Sequence, residues 1–293
     1  MIQIRHLSKK YNGKTVLKNI SLNIEKGMST ALIGKNGAGK STLINILINH
    51  LKAETGEIID IDHLLNLNHI GVLFQKTSFP RLIKVKELYK LFCQLYKDAI
   101  SIDEFKKITK LNDSQLNLYA NHLSGGQQRI LDFGLCLIGK PKLIILDEPT
   151  AAMDVEMREH FWTMIGKLKK ENVSIFYTSH YIEEVERMAD KVIFLDQGII
   201  KLNDSPRNIL TNQQYSIIKV PNTVDNNLQN LTNYFDVKIE DTILKIKTSD
   251  VKKVIYYLEK LNINLNDMTI EKVKSRLLCK MLYNVFTIST YQN

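Results

Sequence analysis

GKNGAGKST, residues 34 to 42, follows the apolar run ALI at 31 to 33 and fits the pattern G-x-x-x-x-G-K-[ST]. Its glycines let the chain curl so that successive backbone N–H groups point at an anion, and a following helix adds the positive end of its dipole. The stretch therefore predicts a strand, a phosphate-binding loop and a helix from about Lys40 to Leu51. An ordinary Gly-rich turn is the alternative for the stretch taken alone.

The side chains at the end of this loop have the chemistry that a nucleoside triphosphate needs. Lys40 is predicted to bring its ammonium group to the β- and γ-phosphates, Ser41 to join the ligand shell of Mg2+, and Thr42 to support it. The pattern does not distinguish ATP from GTP. The other positions predicted to contact the nucleotide are Gly34, Asn36, Gly37, Ala38 and Gly39.

The composition is that of an ordinary globular protein: 293 residues, 44% hydrophobic and 24% charged. A net charge of +9 permits contact with nucleic acid or an anionic membrane, but the basic residues are scattered and are interpreted as a solvated surface. Three widely spaced cysteines, Cys93, Cys136 and Cys279, suggest neither a disulfide framework nor a metal site, and favour a reducing cytoplasm. With no signal-like start and no apolar stretch near the roughly 20 residues of a bilayer span, any membrane-spanning part is expected in another chain.

The order of elements predicts an α/β protein with a mixed or parallel sheet. Two buried-looking runs, 143 to 148 and 173 to 180, suit parallel central strands, and the apolar spacing of 155 to 171 predicts a helix between them. Residues 76 to 125 lack a convincing strand and are predicted to form a helical subdomain inserted into a core of residues 1 to 75 and 126 to 210. Residues 211 to 293 are predicted to form a small α+β accessory domain, in which VKIEDTILKIKT is strand-like.

In LIILDEPT the first of the two runs ends with Asp147 and Glu148 side by side. One carboxylate facing Mg2+ and a second that orients and deprotonates a water are what a nucleotide hydrolase needs. A strand end with a solvated acidic turn is the alternative for this stretch alone.

HLSGGQQR, residues 122 to 129, offers a second anion-binding helix start. Ser124, Gly125 and Gly126 would supply a hydroxyl group, bare N–H groups and the helix dipole ahead of Gln127. A helix N-cap without a ligand is the alternative, since serine is a common cap. One nucleotide cannot easily contact both the phosphate-binding loop and this helix start of the same copy. Two copies arranged head to tail could bind it between the loop of one and the helix start of the other.

With these motifs in this order, the sequence resembles the ATP-binding cassette family, specifically the nucleotide-binding subunit of ABC transporters, over roughly residues 1 to 205. The resemblance implies a P-loop NTPase cassette. Ala152 and Met153 depart from the glycine and leucine that the family usually has. The likeness assigns four further residues: Tyr11 as the aromatic that stacks on adenine, Gln75 as the Q-loop glutamine, Asp154 as the D-loop aspartate and His180 as the H-loop histidine.

The resemblance also implies a mechanism. Two cassettes, either a head-to-tail homodimer or a pair with a paralogous cassette, sandwich two ATP molecules, with Ser124 and Gly126 of one copy on the γ-phosphate bound by the other. Glu148 polarises the attacking water, His180 steadies the γ-phosphate, and Gln75 reports nucleotide occupancy to a membrane permease. Ser41, Gln75 and Asp147 are the implied Mg2+ contacts.

The C-terminal extension resembles that of drug, antibiotic and peptide exporters of the bacitracin-resistance type. The preferred hypothesis is therefore a bacterial exporter of drugs or amphipathic peptides, whose ATPase lies on the inner face of the membrane through its permease. No nucleic acid partner is expected. The alternatives are an importer cassette or a non-transport cassette ATPase acting on ribosomes or DNA.

Overall fold

The computed structural model describes residues 1–179, 181–211, 215–221, 231–232, 234–240, 242–261, 263, 265 and 267–273. These residues form two compact units, the first ending at Pro206 and the second beginning at Arg207. His180, a predicted site residue, lies outside the described residues, as does Cys279. Every helix within the described ranges is too short or too polar to cross a bilayer.

The first unit is built from nine strands and the helices between them. The strands are β1 (Ile2–Tyr11), β2 (Lys14–Ile24), β3 (Ser29–Ile33), β4 (Thr55–Asp60), β5 (Ile70–Leu73), β6 (Leu143–Leu146), β7 (Ser174–Thr178), β8 (Lys191–Asp196) and β9 (Ile199–Asp204). The helices are α1 (Lys40–Leu47), α2 (Val85–Cys93), α3 (Ile102–Thr109), α4 (Asp113–Leu116), α5 (Gly125–Leu137), α6 (Val155–Lys170) and α7 (Ile182–Met188). All residues of the next helix, α8 (Pro206–Thr211), except the first belong to the second unit.

The central sheet has six strands in the order β5-β6-β7-β3-β8-β9, all parallel except β9, which runs antiparallel to β8. In this register Leu146 pairs with both Leu73 and Tyr177, and Leu32 pairs with Thr178. The carboxyl ends of β3, β5, β6 and β7 therefore meet at one edge, which is where open α/β sheets bind ligands.

A second sheet, the antiparallel β2-β1-β4, shares a hydrophobic core with the central sheet. Apolar side chains from β1, β2, α1 and the central strands form one buried cluster, which includes Ile4, Leu22, Leu43, Ile145 and Phe176. Helix α1 is thus held between the two sheets, and the loop that precedes it is anchored at both ends by buried structure.

Residues 76 to 125 contain α2, α3, α4 and a short 3-10 turn at Ala120–His122, and this described range has no strand. Hydrogen bonds at the amino ends of these helices define where they begin. Ser101 Oγ accepts from the N–H of Glu104 at 3.2 Å, and Asn112 Oδ1 accepts from that of Gln115 at 2.9 Å.

The second unit contains an antiparallel sheet of β10 (Tyr215–Pro221), β11 (Asp236–Glu240), β12 (Ile243–Thr248) and β13 (Thr269–Val273), in the order β11-β12-β10-β13, with helix α9 (Val251–Lys260). Its core includes Ile218, Leu244, Ile246, Val254 and Leu258. The described parts of the strand-like stretch VKIEDTILKIKT belong to β11 and β12, which pair with each other.

Candidate functional site

The phosphate-binding loop depends on glycine at particular positions. A Cβ added to Gly34 would lie 2.2 Å from the carbonyl oxygen of Leu195 on β8, so no side chain fits between the two strands. Gly37 and Gly39 have φ of 78° and 109°, a region that L side chains rarely adopt. The loop can therefore leave β3 and turn directly into α1, which begins at Lys40.

Lys40 is 6% exposed, and its ammonium group lies under the loop. Its Nζ donates to the carbonyl oxygens of Gly34 at 2.8 Å and Lys35 at 3.2 Å. Burial lowers the pKa of Lys40, and the neighbouring carboxylates of Glu148 and Asp147 act in the opposite direction. The cationic Lys40 side chain is thus held against the carbonyl groups at the start of the loop.

Asp147 follows β6 and links α1 to β7. Its Oδ2 accepts from Ser41 Oγ at 3.0 Å, and its Oδ1 accepts from Thr178 Oγ1 at 2.7 Å. Both contacts follow from the parallel register, which brings the ends of β3, β6 and β7 to the same edge. The structure therefore brings the predicted pair Ser41 and Asp147 together.

Glu148 has φ of 48°, a left-handed conformation that costs a residue with a Cβ about 1–2 kcal/mol. Its N–H donates to Thr178 Oγ1 at 2.8 Å, and its Oε2 accepts from Gln75 Nε2 at 3.0 Å. Strained residues of this kind persist where the surroundings hold them, and they cluster at functional sites.

Lys40, Ser41 and Glu148 line one open cleft of ≈ 440 Å³, whereas Asp147 lies behind Ser41 and does not line it. Tyr11, which is 41% exposed, lies at its border with the Lys9 ammonium group 5.4 Å from its ring centroid. The cleft is lined by Tyr11, Val16, Asn36, Gly37, Gly39, Lys40, Ser41, Thr42, Gln75 and Glu148.

The second predicted anion-binding element lies elsewhere on the same chain. Ser124 caps α5, with Oγ accepting from the Gln127 N–H at 3.3 Å and Gln127 Oε1 accepting from the Ser124 N–H at 3.1 Å. Residues 124 to 127 are not among the described residues that line the cleft. Ser124 and Gly125 are exposed, so this helix start faces outward.

The turn before α6 packs beside this exposed helix start. A Cβ added to Gly126 would lie 3.2 Å from the carbonyl oxygen of Ala152. Ala152 itself has φ of 64°, so it adopts a conformation that glycine favours. Asp154 does not line the cleft either; its Oδ1 accepts from the Met157 N–H at 2.8 Å and caps α6.

Two residues that contact this site were not identified from the sequence. Thr178 bonds both acidic residues after β6, and its place at the polar end of the run 173 to 180 was the available signal. Arg129 is 3% exposed and contacts the main chain around Glu148. An arginine directly before the mostly apolar helix sequence ILDFGLCL was the signal there.

The comparisons with known proteins agree with this architecture. The family described as ABC transporter matches residues 17–151. The linearmycin resistance ATP-binding protein LnrL of Bacillus subtilis is 30% identical over 68% of this chain and 67% of its own length. The zinc import ATP-binding protein ZnuC of Rickettsia bellii is 33% identical over 74% of this chain and 91% of its own length.

Solved structures match the same part of the chain. The dimeric structure of MJ0796, described as a bacterial ABC transporter cassette, has a TM-score of 0.62 and 27% identity over 70% of this chain and 98% of its own. The same cassette is also known in a post-hydrolysis state with ADP and Pi, at 25% identity and a TM-score of 0.62. The predicted α/β P-loop cassette is therefore confirmed, and the chain belongs to the ABC transporter family as an ATP-binding, ATP-hydrolysing cassette.

Proposed function

We propose that the cleft beside Lys40 binds ATP and hydrolyses it to drive a membrane permease. The observation that carries this proposal is the convergence of Lys40, Ser41, Gln75 and Glu148 on one cleft from three different strand ends. The backbone N–H groups of residues 34 to 39 and the Lys40 ammonium group would bind the phosphates, because both favour negative charge. Tyr11 would stack on the adenine.

The residues also fit Mg2+. Mg2+ in nucleotide sites takes one or two protein oxygen ligands and completes its shell with phosphate and water. Ser41 Oγ and Asp147 Oδ2, 3.0 Å apart, supply such oxygens, and Gln75 lines the same cleft as Ser41. The described residues contain no cluster of three or more His, Cys, Asp or Glu side chains, which is compatible with this sparse set. When bound, the ion would neutralise charge on the phosphate oxygens.

Glu148 is proposed as the general base. Its carboxylate lines the cleft and accepts a hydrogen bond from Gln75. A movement of the Gln75 amide would therefore change the position of the Glu148 carboxylate. His180 is proposed to steady the γ-phosphate; it follows Ser179 in the sequence, directly after the end of β7.

A second cassette is proposed to complete each site. The exposed start of α5, with Ser124, Gly125 and Gly126, is an anion-binding element that the cleft of its own chain does not use. Binding to the γ-phosphate of a facing copy would use it, and Asp154 would lie at the same interface. The dimeric cassette MJ0796 supports this arrangement. The facing cassette would be a second copy of this chain or a paralogue.

The finer proposal is export of drugs or amphipathic peptides, with the cassette on the inner face of the membrane through its permease. The relative named for linearmycin resistance supports it. Import is the second candidate, because another relative is named for zinc import. Residues 211 to 293 are proposed as an accessory domain.

Inside-out vesicles containing the cassette and its permease separate the two directions. An exporter accumulates its substrate inside such vesicles when ATP is added outside. An importer instead releases preloaded substrate.

The Glu148→Gln variant tests the ATPase mechanism. It keeps the size of the side chain but removes its ability to accept a proton, so turnover should fall by about 10²–10⁴-fold while ATP binding is retained. Because the γ-phosphate then persists, ATP should convert the variant to a dimer in size-exclusion chromatography. Hydrolysis near the wild-type rate would exclude Glu148 as the base.

A further inference from the structure

Arg129 is the fifth residue of α5 and one of the most deeply buried charged groups among the described residues, at 3% exposure. Burying a guanidinium group is unfavourable unless its N–H donors are satisfied, and here all five donors have acceptors. Nε donates to the Pro149 carbonyl at 2.9 Å. Nη2 donates to the Asp147 and Glu148 carbonyls at 2.8 and 3.0 Å, and Nη1 donates to the Phe74 carbonyl and, at 3.1 Å, to Thr77 Oγ1.

Three of these acceptors are consecutive carbonyl groups, those of residues 147, 148 and 149. In an extended strand successive carbonyl groups point to opposite sides, so they cannot all face one side chain. They do so here because Glu148, the middle residue, turns the chain with φ of 48°. The guanidinium group therefore stabilises the strained conformation of Glu148 specifically.

The positive charge of Arg129 is compensated indirectly, by the Asp132 carboxylate through the hydroxyl group of Thr77. Thr77 Oγ1, which accepts from Arg129, donates to Asp132 Oδ2 at 2.8 Å. Asp132 lies on the same helix as Arg129. Because the Asp132 carboxylate accepts from Thr77, only one N–H donor of Arg129 is used on this side, and the other four bind the carbonyl groups. The Phe74 carbonyl directly precedes Gln75, so one side chain holds both segments whose side chains meet at Glu148 Oε2.

We propose that Arg129 is a positioning residue for ATP hydrolysis. It holds the main chain of Glu148 in its left-handed conformation and thereby keeps the carboxylate directed into the cleft, while the Glu148 N–H is held from the other side by Thr178. This inference rests on the proposed role of Glu148 as the general base.

The test is the Arg129→Lys variant, which keeps the charge but cannot reach acceptors on several chain segments at once. We expect kcat to fall by about 10²-fold, the loss typical of a 1 Å misplacement of a reacting group, with the ATP dissociation constant unchanged. Arg129→Gln should show the same loss of kcat. Because it leaves no buried charge, it replaces Arg129→Lys as the test variant if the lysine variant does not fold. A wild-type kcat in either folded variant would overturn the proposal.

Ile130→Ala is the matched control, since Ile130 is the next residue of the same helix and is fully buried. It should lower the melting temperature at least as much as Arg129→Lys, yet keep kcat when assayed well below melting. An equal loss of kcat in the control would reduce Arg129 to a general stabilising role and overturn the proposal.

The double variant Arg129→Lys/Glu148→Gln shows whether Arg129 acts through Glu148. If it does, the single-turnover rate of Glu148→Gln is not lowered further by the second change. A further 10²-fold loss, the full single-variant effect, would mean that Arg129 acts independently of Glu148 and would overturn the proposal. A fully active Glu148→Gln variant would refute the proposed role of Glu148 as the base. An inactive Glu148→Gln variant together with an active Arg129→Lys variant would refute only the proposed role of Arg129, so the two failures can be distinguished.

Discussion

Replacing Lys40 with methionine separates the role of its ammonium group in ATP binding from any role in stability. The side chain is buried, and its pKa is lowered by that burial, which means that the folded protein disfavours the charged form relative to water. Methionine has a similar length and no charge. The change therefore removes a desolvation cost together with the two hydrogen bonds to the carbonyls of Gly34 and Lys35.

The two effects on stability oppose each other. Each hydrogen bond to a charged group contributes about 1.5–3 kcal/mol, while burying an ion costs several kcal/mol, so the free energy of unfolding without nucleotide should change by at most about 1–2 kcal/mol. ATP binding has no such compensation. Losing one charge-assisted hydrogen bond to phosphate, about 1.5–3 kcal/mol, should weaken ATP binding by roughly 10–150-fold.

Thermal unfolding with a non-hydrolysable ATP analogue measures both quantities. At an analogue concentration of about 100 times the wild-type dissociation constant, binding stabilises the wild type by about 2.7 kcal/mol and a 100-fold weaker variant by about 0.4 kcal/mol. At about 2–4 °C per kcal/mol, the analogue should raise the wild-type melting temperature by roughly 5–10 °C and that of the variant by roughly 1–2 °C. A full analogue-dependent shift in Lys40→Met would refute the assignment of Lys40 to the phosphates.

Glycine substitutions provide two further predictions. Gly34→Ala would place a Cβ 2.2 Å from the Leu195 carbonyl oxygen, so β3 and β8 must separate; we expect a loss of about 1–3 kcal/mol and no ATP-dependent melting shift. Its control is Gly166→Ala inside α6, where the nearest atom to the added Cβ is 4.0 Å away. There we expect the free energy of unfolding to rise by about 0.5–1 kcal/mol. Equal changes in stability in the two variants would contradict the packing argument. Ala152→Gly should relieve about 1–2 kcal/mol at φ of 64° and lose about 0.4–1 kcal/mol to the greater freedom of the unfolded chain. Denaturant unfolding should therefore show a small net gain, and a loss would mean that the turn does not need glycine-like freedom.

Several elements of the site could be predicted from the sequence because each is encoded locally. The glycine spacing around residues 34 to 42 predicts a loop between a strand and a helix, and α1 does begin at Lys40, although it ends at Leu47 rather than Leu51. The acidic pair at 147 and 148 follows a short apolar run, which is β6. Parallel strands end at a common edge, so Ser41 and Asp147 could be expected to meet.

Other elements lack a local signal. Strands β4 and β5 were not identified, since TGEIID and IGVL are short and acquire strand structure by pairing with β1 and β6. The role of the exposed α5 start and of Asp154 stays a prediction. The side chains of Ser124 and Asp154 both accept hydrogen bonds from the first turn of their own helices, so these contacts do not reveal whether either residue also binds a ligand.

The sequence by itself determined the strand-loop-helix unit at residues 34 to 42, the acidic strand end and the serine-capped start of α5, because these depend on backbone freedom and residue spacing over a few positions. The tertiary structure alone decided the left-handed conformation of Glu148 and its contacts with Arg129, Thr178 and Gln75. Those contacts join residues 19 to 73 positions apart. Only the packing of α5 and the strands against one another brings such distant groups within hydrogen-bond distance.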